Sequence, residues 1–199
     1  MAPVYKLSTS RLSSRTSYSS MLAGNAAFLP TDFESIATVN VGAGGSSSIT
    51  FSSIPSTYAH LQIRGIARST NSVTSVNISL QFNGVTSSSY AWHWIYGDGS
   101  SAVASSNSNT TLAYVARGAG ASASSSIFGA AVIDILDYAN TNKTKTVRAL
   151  SGHDNNGSGY AWFASGLFNS TNAISSITMN VQDGNFAQYS SFALYGIKA

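Results

Sequence analysis

The residues that could do chemistry are few and scattered. The chain has three histidines, His60, His93 and His153, and seven carboxylates, Asp32, Glu34, Asp98, Asp134, Asp137, Asp154 and Asp183. A metal centre needs His, Cys or carboxylate ligands that converge. The histidines are not at ligand spacing, and there is no cysteine. The run His153-Asp154-Asn155-Asn156 offers oxygen ligands. Calcium takes about six to eight oxygens, mostly from carboxylates, so one carboxylate among amides binds weakly. Glycoside hydrolysis needs two carboxylates across a cleft, and one glutamate with loop-borne aspartates does not recommend it. Serine is so frequent that Ser, His and Asp coincidences carry no information, and neither G-x-S-x-G nor a phosphate loop occurs. The reading is a non-enzymatic protein with no metal and no cofactor.

The aromatics carry more signal. Tyr90, Trp92, Trp94 and Tyr96 recur at every second residue. Such a stripe is either a core face, since each ring buries about 150–250 Å², or a platform on which sugar rings stack. The core reading is preferred, with Trp162 packed against the same layer. The sugar reading draws on Trp94, Tyr96, Asp98, Asp154 and Trp162, and on the polar loops Gly97–Ser101 and His153–Gly159. The three histidines are expected on the surface or in hydrogen bonds. Lys143, Lys145 and Arg148 are expected on a solvated or interface edge, where lysine also blocks unwanted strand pairing.

These residues sit on strands. In Ser75–Asn83, Val76, Ile78, Leu80 and Phe82 alternate with polar residues, which gives a strand one oily and one wet face. Asn83-Gly84 follows, a pair that tolerates positive φ and suits a tight hairpin turn. Leu61 and Ile63 alternate with His60, Gln62 and Arg64. Val39 and Val41 begin the pattern, and Ile49 and Phe51 mark a short return strand. Ile127–Tyr138 is a strand rather than a helix, because its β-branched residues cluster. Gly97–Asn109 reads as loop. Thr144–Ser151, Tyr160–Phe168, Ile174–Gln182 and Tyr189–Lys198 complete about ten strands with frequent turns, the pattern of an antiparallel β-sandwich or jelly roll.

Only 9% of the residues are charged, against about 25% in typical domains. The net charge of +3 is small and dispersed, which argues against nucleic acid. No apolar run is long enough for a membrane helix. Residues 1–30 differ from the rest. They are serine-rich and hold Lys6, Arg11 and Arg15 but no acidic residue. Tyr5, Leu7, Leu12 and Tyr18 are too apolar a set for a purely solvating tail. We expect an extended arm over residues 1–30 that docks through Tyr5, Lys6, Leu7, Arg11, Leu12, Arg15 and Tyr18, and a β-sandwich domain over residues 31–199. Scarce charge also suggests a close homo-oligomer, taken as a homotrimer, because Ser, Thr and Asn are desolvated at lower cost than Lys or Glu.

The segments FSSIPSTYAHLQIRGIAR, SLQFNG, YAWHWIYGDGS, VIDILDYANTNKTKTVRALSGHDNNG and YSSFALYGIK resemble a family of small structural proteins of tailed bacteriophages, many cyanobacterial or marine. The similarity runs from about Phe33 onward. It implies a virion protein with a jelly-roll-like domain whose partners are other capsid or tail subunits. A capsid decoration (cement) protein anchored by the arm is the leading expectation. A tail or head fibre, or an adhesin for host-surface glycans, is the alternative. The resemblance carries no catalytic residues.

Overall fold

The computed structural model describes residues 33–198; the expected arm, with its docking residues from Tyr5 to Tyr18, lies outside them. Twelve strands follow one another with no helix among the described residues: β1 Phe33–Asn40, β2 Ser48–Phe51, β3 His60–Ala67, β4 Ser75–Phe82, β5 Tyr90–Gly97, β6 Ala102–Thr110, β7 Ala113–Ala119, β8 Gly129–Leu136, β9 Lys145–Asp154, β10 Gly159–Phe168, β11 Ile177–Val181 and β12 Ser191–Ile197. They form an all-β sandwich of two antiparallel sheets. The large sheet has the order β1-β12-β3-β8-β9-β10-β5-β6, and the small one β2-β11-β4-β7.

Alternation places the core. Val76, Ile78, Leu80 and Phe82 of β4 are buried in one cluster with Leu61 and Ile63 of β3 and with Phe192 and Leu194 of β12. Asn77 and Gln81 stay on the other face and reach Gln182 and the Thr111 carbonyl. The expected register of this strand holds.

Connectivity differs from the expectation in two places. Asn83-Gly84 does form a tight turn, with φ of 53° and 67° and Val85 N–H donating to Phe82 O at 2.9 Å. Yet no hairpin follows. β4 stays in the small sheet between β11 and β7, while β5 lies in the large sheet between β10 and β6. Tyr90 bridges the crossing. Its hydroxyl accepts from Phe82 N–H and donates to Val85 O, both at 2.9 Å, so the first residue of β5 is tied to the end of β4 from the opposite sheet. Likewise, β2 does not return on β1. It pairs with β11 in the small sheet, Ile49 opposite Met179 and Phe51 opposite Ile177.

Two further expectations are corrected. The stretch read as loop contains β6, which has no apolar period because all but its last residue are exposed; its ladder to β5 defines it. Lys145 is not on an edge. β9 is an interior strand, and Lys145 is fully buried. Its ammonium donates to the carbonyls of Asn140, Lys143 (2.8 Å) and Thr171 (3.1 Å). Desolvation lowers its pKa, and these three acceptors are what keep a buried cation tolerable. Lys143, paired with Asp137 at 2.6 Å, and Arg148, paired with Asp134 at 2.8 Å, are solvent-exposed as expected, although Arg148 too stands on the interior strand β9 rather than on an edge.

Candidate functional site

The large sheet is wider than the small one, and the inner face of β5 records where cover runs out. Tyr90 and Trp92 are buried, whereas Trp94 and Tyr96 are only partly so. Tyr90 stacks on Phe168 with ring centroids 5.0 Å apart. Further along, Trp94 meets Trp162 at 4.5 Å, Tyr96 meets Trp162 at 5.4 Å, and Tyr96 meets Tyr160 edge-on at 5.2 Å. Arg117 of β7 closes this layer. Its guanidinium lies 4.1 Å from the Tyr160 ring centre and 5.3 Å from those of Tyr96 and Trp162. Its Nε donates to Ser75 Oγ at 2.8 Å. A cation over several ring faces is held by their quadrupoles.

Beside this layer lies a polar cleft of about 230 Å³, lined by Thr74, Asp98, Ser100, His153, Asn155, Ser158, Gly159 and Tyr160. The β5–β6 and β9–β10 loops form two of its walls. Asp98 accepts from the N–H groups of Ser100 (2.9 Å) and Ser101 (2.8 Å). These bonds, that of Ser101 first, hold its carboxyl below the usual range. Asp154 accepts from Gly157 N–H at 3.2 Å. Asn155 accepts from Ser124 N–H at 2.6 Å. Both loops are thus built by their own Asx contacts. His153 is buried, and its Nδ1 has no hydrogen-bond partner. Burial first, and the Arg117 charge second, push its pKa down, so the ring is neutral at pH 7. Hydroxyls, amides, a neutral imidazole and one phenol ring can hydrogen-bond and stack a small polar ligand.

A second feature lies on the outer face of the large sheet. Ile95, Phe163, Leu150 and Val132 stand in one cross-strand row over β5, β10, β9 and β8. Their exposures are 50%, 47%, 63% and 40%. Single exposed apolar residues are ordinary, whereas large contiguous apolar patches are characteristic of interaction surfaces in general.

The sugar-binding set is only partly assembled. Asp98 and Asp154 come together on the rim of a single depression, and Trp94 and Tyr96 keep part of their rings open. Trp162 does not qualify. It is fully buried, packed in the aromatic layer as the core reading required. His153 is likewise internal rather than on the surface, while His60 accepts from Asp137 N–H at 3.0 Å. Arg117, Tyr160 and Thr74 were not singled out from the sequence, and Ser100 entered only as part of the Gly97–Ser101 loop. Arg117 was the legible one, a lone cation in the otherwise apolar run Ala113–Ala119. Among the described residues, no group of three or more His, Asp or Glu side chains gathers as a metal site.

No family model matches the chain, and no curated protein matches it. Among solved structures, a galectin, LEC-6 of Caenorhabditis elegans, shares 8% identity over 78% of this chain and 94% of its own, with a TM-score of 0.32. A likeness that loose carries no argument about this protein.

Proposed function

We propose that this chain is a non-enzymatic structural protein of a bacteriophage virion, a capsid decoration protein that the segment over residues 1–30 anchors to a shell subunit. The observation that supports it is the outer face of the large sheet. A row of four large apolar residues, 40–63% exposed, on a domain with only 9% charged residues, suits a protein that works packed against other proteins. The resemblance of the β-domain segments to phage structural proteins points the same way. Purified particles probed with an antibody to this chain should be labelled at the capsid. Deleting residues 1–30 should leave the β domain folded and abolish incorporation. Particles without the protein would sink the proposal, and normal incorporation of the truncated chain would remove the arm's anchoring role.

A glycan-binding adhesin is the second reading, favoured by one observation: the loops carrying Asp98 and Asp154 meet at one depression beside Tyr160. A glycan array probed with the purified chain tests it. Specific binding lost in Trp94→Ala and Tyr160→Ala, with folding retained, supports an adhesin. An array with no hits rules against it.

A further inference from the structure

We infer that the outer face of the large sheet pairs with the same face of a second copy of this chain about a two-fold axis. This rests on reading that face as a protein-docking surface, and it names the occupant.

The relief of the face is self-complementary. Strand register aligns its residues into parallel rows. The large row Ile95, Phe163, Leu150 and Val132 forms a ridge. Two residues along each strand lies a row of small residues only: Ala102, Gly97, Ala161, Gly152 and Ala130, again in register across β6, β5, β10, β9 and β8. Two shallow grooves follow this line. One touches Ala130, Gly152, Ala161 and Leu150, and the other Gly97, Ala102, Ala161 and Phe163. The face is therefore a ridge beside a trough of similar length.

A two-fold axis parallel to both, running between them, exchanges the two. Each ridge then lies in the other copy's trough, with Phe163 over the partner copy's Ala161. An isologous contact requires one patch that complements itself, and a ridge flanked by its own trough meets that requirement. The facing strands run nearly antiparallel, turned by the sheet twist, which is the aligned mode of packing two sheets.

Charge agrees with this register. One step beyond the ridge on β9 is Arg148, and one step beyond the trough is Asp154; both are exposed. The same axis sets each Arg148 over the partner copy's Asp154. Five strands about 4.8 Å apart and seven residues at about 3.3 Å each give a flat face of roughly 550 Å². Side-chain relief adds to that, so the area is at the lower end of stable interfaces, about 600–1,000 Å² per partner. A face of this size suits an association followed over micromolar concentrations.

Sedimentation equilibrium of the full chain from about 1 to 100 μM tests the pairing. The wild type should be a dimer at the upper end. Phe163→Asp should weaken association at least 100-fold. Ala161→Phe is the discriminating variant. It makes the face more apolar, so unspecific sticking would increase, whereas ridge-in-trough pairing should weaken at least tenfold. Asp154→Lys should weaken pairing at low salt, and adding Arg148→Gln should recover it. A monomer throughout, a trimer, or stronger association of Ala161→Phe would overturn the inference. Circular dichroism of each variant confirms that it is folded. The proposed function fails separately: a chain that is monomeric in solution but present in particles loses the pairing and keeps the virion role, and a dimer absent from particles does the reverse.

Discussion

The two ends of β5 share one pattern and meet different fates. Tyr90 and Trp92 lie inside the sandwich, while Trp94 and Tyr96, on the same face of the same strand, are partly open. Phe82 and Tyr114 of the small sheet pack on the first pair, whereas over the second that sheet contributes the Arg117 guanidinium beside neighbouring rings of the large sheet. Alternation decides which side chains share a face. Whether that face becomes core depends on where the opposing sheet stops.

The comparison can be broken most forcefully at the covered end. Phe82, fully buried and 5.5 Å from the Phe168 ring, closes the cluster around Tyr90. Phe82→Ala should lower stability by about 4 kcal/mol, read as a reduced urea midpoint at constant slope. An effect under about 1 kcal/mol would mean that the end is not well packed.

Tyr90→Phe probes the tie between the sheets. It keeps the ring and removes the partner of Phe82 N–H and the donor to Val85 O. Leaving buried backbone groups unpaired costs about 1–3 kcal/mol, so a loss near 2 kcal/mol is expected. Hydrogen exchange should rise at the Phe82 amide first.

Trp94→Ala should cost less, about 1 kcal/mol, because the ring is already partly in water. A loss as large as that of Phe82→Ala would show that the open end is core after all.

The smallest effect is a pH dependence at the open end. Burial and Arg117 depress the His153 pKa in the fold. Below the unfolded value, about 6.5, the unfolded chain binds a proton that the folded chain resists. Stability should therefore be fully present above about pH 6.5 and fall as the pH drops through and below it. Thermal melts from pH 7.5 to 5 on the wild type and His153→Asn should diverge in that window. Parallel curves would remove His153 as the source.

Much of this was legible in the residues. The wet and oily faces of β3, β4 and β12 follow from alternation, and Trp162 was expected in the aromatic layer. β6 was not legible, since AVASSNSNT has no buried face and is a strand only because β5 lends it a ladder. The cleft was half legible. Its Asx-rich loops stood out, but Thr74 reaches it from a part of the chain distant in sequence, and Tyr160 is brought in by the strand that follows the second loop.

Period-two alternation, Asn-Gly turn chemistry and scarce charge are local properties, and from them the chain by itself determined an antiparallel β-sandwich and its inward residues. The assignment of each strand to a sheet was decided only by tertiary structure. Asn83-Gly84 makes the turn that a hairpin would use, yet the Tyr90 hydroxyl takes the Phe82 amide and β5 joins the other sheet. Lys145 looks like any surface lysine until the carbonyls of the preceding turn, Asn140 and Lys143, and that of the remote Thr171 meet its ammonium. The ridge and trough likewise exist only across strands, because each row takes one residue from each and register alone brings them into line.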